Sequence, residues 1–315
     1  MIKLKPRLKL VIIIVVVSGL LILSFYLADR LVAKKYKPEI NPVTSSDLNV
    51  YNQAAPDEAP STSTNSSSSP SSSSKVITNP VVNFKGFSET IPIFMYHYVE
   101  VPPATTTMKG LYLDPLIFDD QLQELKKNNY QTLFVSEAAT SLRTEKKLST
   151  KNIVLTFDDG YEDFYSVVWP LLKKYNYKAT LYVIINKLGA KGYITRDQLK
   201  ELAASGLVEI GSHTFNHPDL RNLKKKDAQF EIQASKKILE QISGQPVLTF
   251  AYPFGYYKFD FFEMMTKTGY TAAVSVQPGS KQGGENIWFL RRLRPGERQG
   301  EVFVKWLNEW DRANY

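Results

Sequence analysis

The chain of 315 residues contains no cysteine. That excludes disulfides and thiolate metal ligands, though it does not fix a compartment. Histidine is nearly as scarce: the three residues are His97, His213 and His217, and none follows His217. No internal repeat and no recognisable RNA or DNA module is visible. The formal net charge of +8 invites a nucleic-acid partner, but its distribution argues against one. Residues 1–37 carry eight Lys or Arg against one acid, and residues 38–80 one Lys against four acids. Only a modest positive excess is left for residues 81–315. The basic character therefore belongs to the flanks of an N-terminal apolar run, and no nucleic acid is expected as a partner.

That apolar run is the first thing the sequence does have. No charged residue occurs from Leu10 to Ala28. As a helix the run spans about 28 Å, close to the hydrocarbon thickness of a bilayer. Lys3, Lys5, Arg7 and Lys9 precede it, which favours a cytoplasmic N-terminus. A cleaved signal peptide would carry a shorter apolar region and a clearer small-x-small site than "SFYLADRLVAKK" offers. The expectation is a cytoplasmic basic segment at 1–9 and an uncleaved transmembrane signal anchor at 10–28. A flexible linker follows at 29–80, rich in Ser, Thr and Pro ("STSTNSSSSPSSSS" at 61–74). It has too little apolar surface to fold and would reach about 35 Å as a random coil. The folded domain is expected at 81–315, on the extracytoplasmic side of the cell membrane.

Within the domain, short apolar runs alternate with amphipathic stretches. The strand candidates are "IPIFMYHYV", "QTLFV", "NIVLTF", "ATLYVII", "LVEIGS", "VLTFAY", "TAAVSV" and "WFLRRL". Helices are expected between most of them, though none between "QTLFV" and "NIVLTF"; one opens at Asp114–Pro115 as N-cap and first helical residue. Another is expected after "WFLRRL". Strand–helix alternation predicts an α/β fold with a parallel sheet, curled into a barrel. Functional groups in such folds gather at the carboxyl ends of the strands.

The reactive residue types gather there. His97 ends the first run, in "MYHYV". Asp158 and Asp159 end "NIVLTF", before Gly160. His213 and His217 follow "LVEIGS", in "GSHTFNHPDL", and "AYPFG" follows the sixth run. Two adjacent carboxylates repel, and burying them is costly unless a cation or hydrogen-bond donors are present. Two imidazoles and one carboxylate make a three-ligand site with room for water and substrate, the pattern of hydrolytic zinc. Pro218 disfavours helix at His217, so the two imidazoles should converge across a turn. The remaining carboxylate can then take a proton from water.

"TFDDG" and "HTFNH", in that order within a β/α chain, resemble the first two motifs of the polysaccharide deacetylases, the NodB-homology domain of carbohydrate esterase family 4. The likeness covers about residues 90–300. It implies an irregular (β/α)7 barrel and a divalent metal, zinc above all, with cobalt or nickel as alternatives. Asp158 is then the catalytic base, and Asp159, His213 and His217 are the metal ligands. Two departures stand out. The family's third motif begins with an arginine that braces the base, but Ala251 occupies that place; Arg292, in "FLRRLRP", is the candidate replacement. Phe254 stands where the family has tyrosine, and its role there is carried by the backbone N–H, which stabilises an oxyanion. The usual late histidine acid is missing. "MYHYV" and "FAYPFG" resemble the poly-N-acetylglucosamine (biofilm) deacetylase branch, in which an early histidine is the acid, so His97 takes that role.

The resemblance thus implies N-deacetylation of an extracellular N-acetylglucosamine polymer with release of acetate. Peptidoglycan is the alternative polymer, and a catalytically silent sugar-binding module the alternative of another class. Tyr252, Tyr256 and Trp288 are the candidate sugar-lining aromatics.

Overall fold

The structure, a computed structural model, describes residues 86–148 and 151–312. The expected basic segment at 1–9, the anchor at 10–28, the linker at 29–80 and the first residues of the expected domain, 81–85, lie outside the described residues. Among the described residues no helix is long and apolar enough to cross a membrane.

Six parallel strands form the main path of one sheet, in the order β2 (Ile93–Tyr96), β4 (Asn152–Phe157), β5 (Ala179–Val183), β6 (Val208–Ser212), β7 (Thr249–Ala251) and β8 (Ala272–Val274). β3 (Gln131–Leu133) joins the amino-terminal half of β4. Two short strands, β1 (Ser88–Thr90) and β9 (Lys281–Gly283), pair antiparallel outside this sheet. Every residue of β2, β4 and β5 is buried, as expected of parallel strands covered on both faces.

The sheet curls until its two edges nearly meet, and one segment bridges them. Leu290 N donates to Ala273 O, Ser275 N donates to Leu290 O, and Leu293 N donates to Ile93 O. The run "WFLRRL" thus supplies isolated bridges to β8 and β2 rather than a regular strand. This parallel, curled sheet fits a (β/α) barrel.

Side chains alternate across the sheet as a pleat requires. Phe94, Ile153, Leu155, Phe157 and Leu181 face an outer core, while Ile93, Val154, Tyr182, Val274 and Leu290 share an inner one. The outer core is covered by helices that include α1 (Pro115–Lys127), α3 (Trp169–Tyr175), α4 (Arg196–Ala204), α5 (Lys225–Ser243), α6 (Asp260–Thr268) and α7 (Gly300–Arg312). α2 (Val135–Thr144) packs Val135, Ala138, Ala139 and Leu142 against the inner core. Asp114 caps α1 as expected, its side chain accepting from Leu116 N.

Candidate active site and metal centre

The inward parity of β4 continues past its end. Thr156 bonds inward to Arg292, Phe157 faces outward, and Asp158 again faces inward. In an extended chain Asp159 would face outward. Its φ of 76° turns the backbone instead, with Gly160 following at 81°. Both carboxylates are thereby buried, at 3% and 7% exposure.

Asp158 meets Arg292. The guanidinium donates from both terminal nitrogens, one to each carboxylate oxygen, at 2.7 Å. Arg292 is fixed in turn by donating to Ser275 O and Thr156 Oγ1. Burial opposes the charge on Asp158, but the Arg292 pair outweighs it and holds the carboxyl well below the usual range. His97 Nε2 lies 3.9 Å from Asp158 Oδ2. Burial lowers its pKa, against the pull of Asp158 and Asp159, so His97 rests as neutral imidazole at neutral pH.

Asp159 meets the other two histidines. Its Oδ1 lies 3.4 Å from His213 Nε2 and 3.5 Å from His217 Nε2. Three donors on a tetrahedral zinc at about 2.0–2.1 Å sit roughly 3.3–3.4 Å apart. The spacing therefore fits the ion, and the donor set of one carboxylate and two imidazoles fits its chemistry. His213 Nδ1 is 2.8 Å from Ala251 O. A carbonyl only accepts, so Nδ1 carries a proton and Nε2 is the nitrogen that faces Asp159; without an ion there, the neighbouring carboxylates raise the His213 pKa against the effect of burial. Burial and the neighbouring His213 push His217 down to about 4, so its imidazole is neutral at neutral pH. The turn between them is not helical: His217 has φ 62°, and its N–H donates to Thr214 Oγ1.

Phe254 follows β7 with φ 59°. The turn's own bonds run from Gly255 N to Tyr252 O and from Tyr256 N to Pro253 O, so neither uses the Phe254 N–H. Its ring sits 4.8 Å from the His217 ring and is half exposed. Tyr256 is exposed beside it, with the Arg221 guanidinium over its ring.

Two expected lining residues are elsewhere. Tyr252 is 1% exposed, packed on Phe250 and Tyr257, and cannot meet a surface ligand. Its outward parity, next to inward Ala251, puts it in the outer core. Trp288 lies under Arg143, whose guanidinium bonds to Thr271 O just before β8. That is the amino end of the strands, away from the metal set.

Sequence reasoning missed two buried carboxylates that hold the loops. Asp163 accepts from Val99 N, tying down the end of "MYHYV". Glu231, on α5, accepts from Phe215 N and Asn216 N in the "HTFNH" turn. Neither stands in a motif; an acid followed by an apolar residue on a buried helix face was the only signal.

The fold and site define a hydrolase built around a carboxylate pair and a candidate metal centre. A family model described as polysaccharide deacetylase matches residues 145–273. YxkH of Bacillus subtilis, named for a polysaccharide deacetylase, is 35% identical over 204 residues, which cover 65% of this chain and 71% of that protein. The chain belongs to the polysaccharide deacetylase family and is an enzyme of that class. The poly-β-1,6-N-acetyl-D-glucosamine N-deacetylase of Staphylococcus aureus is 24% identical over 234 residues, covering 69% of this chain and 78% of that one. Among solved structures, the Streptococcus pyogenes deacetylase PplD in complex with acetate has a TM-score of 0.64 at 30% identity, covering 70% of this chain and 97% of that chain.

Proposed function

We infer that this deacetylase hydrolyses the N-acetyl groups of extracellular poly-N-acetylglucosamine in a metal-dependent reaction. The observation that carries the reading is the division of labour between adjacent carboxylates: Asp158 is locked to Arg292, while Asp159 faces two imidazoles. The likeness to the staphylococcal enzyme supports the choice of polymer.

Asp159, His213 and His217 would hold a divalent ion, zinc or its substitutes cobalt and nickel, which would supply Lewis-acid polarisation of the acetyl carbonyl and of water. Asp158 takes the proton from the attacking water, and Arg292 keeps it ionised and aimed. The Phe254 N–H donates to the oxygen that gains charge as water adds to the carbonyl carbon. His97 delivers the proton to the nitrogen as the C–N bond breaks. Because burial keeps His97 neutral at rest, the proton it gives is one it gains during the cycle, after Asp158 has taken a proton from the attacking water. The products are acetate and a glucosamine unit. Tyr256 and the Phe254 ring form the exposed aromatic rim on which a sugar can rest. The uncharged run at 10–28 and the linker at 29–80 support a single-pass placement in the cell membrane, with this domain outside.

The test is acetate release by the zinc-loaded full chain from poly-N-acetylglucosamine and from peptidoglycan. Release from the first is expected. Release from peptidoglycan alone would move the substrate, and release from neither would overturn the reading.

A further inference from the structure

The loop that carries both histidines is bent twice into the left-handed region, at Thr214 (φ 70°) and His217 (φ 62°). Within the turn His217 N donates to Thr214 Oγ1, which leaves the N–H groups between them to be satisfied from outside. The middle residues are held by one side chain from α5. Glu231 Oε2 accepts from two consecutive backbone groups, Phe215 N at 2.9 Å and Asn216 N at 2.8 Å, while Oε1 accepts from Asn216 Nδ2 at 2.8 Å. All three partners are donors, so the socket suits a group that only accepts, with two oxygens. Glu231 is 6% exposed, so these three donors stand in for the water its carboxylate has lost. Burying an unpaired carboxylate is costly unless donors or a nearby cation compensate. Asn216 also accepts from Asn186 Nδ2, and Asn186 N donates to Phe215 O, so the turn is clamped from a second side.

We propose that Glu231 is a positioning residue of the metal centre: its carboxylate sets the turn that makes His213 and His217 converge on Asp159, and its charge complements a divalent ion beyond that turn. This rests on the metal-dependent reading above. Removal of a partner that orients a ligand typically weakens metal binding about 10–100-fold.

The experiment titrates zinc into the metal-free full chain in competition with a chromophoric chelator, and records the visible spectrum of the cobalt-loaded protein. Glu231→Gln keeps the shape and one acceptor oxygen but opposes an amide to Asn216 Nδ2; Glu231→Ala removes all three bonds. The expected result is a zinc affinity about tenfold weaker in the first and about 100-fold weaker in the second, with altered cobalt bands and a native circular-dichroism spectrum. Glu240→Gln is the control. It lies on the same helix and loosens bonds to Val247 N and Lys236, away from the histidines, and should leave zinc affinity unchanged. Wild-type affinity and bands in Glu231→Gln would overturn the proposal, as would equal zinc loss in Glu240→Gln. If Glu231→Ala does not fold, Glu231→Gln decides alone. A wild-type chain that binds no zinc would overturn the metal-dependent reading as well, whereas zinc-binding wild type with unaffected variants overturns only this inference.

Discussion

Arg292→Met tests the centre of the site without touching a candidate ligand. The substitution keeps the apolar stem but leaves Asp158, 3% exposed, as a buried charge that has lost both 2.7 Å donors. Ser275 O and Thr156 Oγ1 lose their bonds to the guanidinium too. Breaking one side of a buried ion pair typically costs about 3–5 kcal/mol. For a domain of this size that is a fall in Tm of about 6–20 °C. The pH dependence has a definite sign. With Arg292 present, the folded-state pKa of Asp158 lies well below its unfolded value. That stability is present above about pH 4, the unfolded value, and is lost as pH falls toward the folded pKa. In the variant burial is opposed only by the weaker pull of His213 and His97; the folded pKa is expected to rise, so a penalty grows as pH rises above about 4. The gap between wild type and variant should therefore be widest at neutral pH and narrow at pH 5. Urea unfolding of the metal-free proteins at pH 7.5 and 5 measures it. Adding Asp158→Asn to Arg292→Met should restore at least part of the loss, since no buried charge is then left unpaired. A cost below about 1 kcal/mol at pH 7.5, a gap that does not narrow at pH 5, or a double variant as unstable as the sum of its parts would refute the reasoning.

Three further outcomes are expected. His217→Ala should lose zinc by elemental analysis, whereas Asp158→Asn should keep the metal and lose turnover; equal metal loss would show that the roles are misassigned. His97→Ala should cut turnover on polymer about 10²–10⁴-fold with metal content unchanged, and should harm aryl acetates much less, because their leaving group needs no proton; equal harm would remove His97 as the acid. Asp163 has its pKa raised to about 6 by burial, with Glu100 and Glu162 adding to the shift. A folded pKa above the unfolded value near 4 means that stability is lost as pH rises between about 4 and 6, by about 3 kcal/mol in full. Asp163→Asn, which keeps an acceptor for Val99 N, should unfold like wild type near pH 4 and later than wild type at pH 7.5; a less stable variant at pH 7.5 would refute this.

The sheet was legible because its strands are buried on both faces and so read as unbroken apolar runs such as "NIVLTF" and "ATLYV". β1 and β9 were not, because "SET" and "KQG" are three residues long and polar. α2 escaped notice because much of its buried face is alanine and serine rather than large apolar residues. In the site, the Asp pair and the His pair were legible from residue type and spacing. The choice of Arg292 over its neighbour Arg291 depends on parity. Leu290 and Arg292 face inward while Leu293 joins the outer core, so reading "FLRRL" with a period of two would have selected it. The same reading of "FAY", with Phe250 outward, would have removed Tyr252 from the lining residues.

What no residue pattern displays is the backbone that makes these groups converge. Eight described non-glycine residues have positive φ. Glu145 and Asn176 are helix C-caps, where such a conformation is routine, and Asn129 follows the C-cap of α1. Asp159, Thr214, His217 and Phe254 are different: all four lie in the loops around the candidate centre. Each costs on the order of 1–3 kcal/mol, and persists only when its surroundings overdetermine it. The surroundings are visible. Asp159 is buried at the turn after β4, Thr214 Oγ1 ties back to His217 N, and Gly255 packs where a Cβ would strike Val276. Relaxing Asp159 to an extended conformation would send its carboxylate to the opposite face from Asp158. The pair would then be two ordinary neighbours, one inside the barrel and one outside. The adjacency in "TFDDG" has chemical meaning only because the chain bends between the two residues.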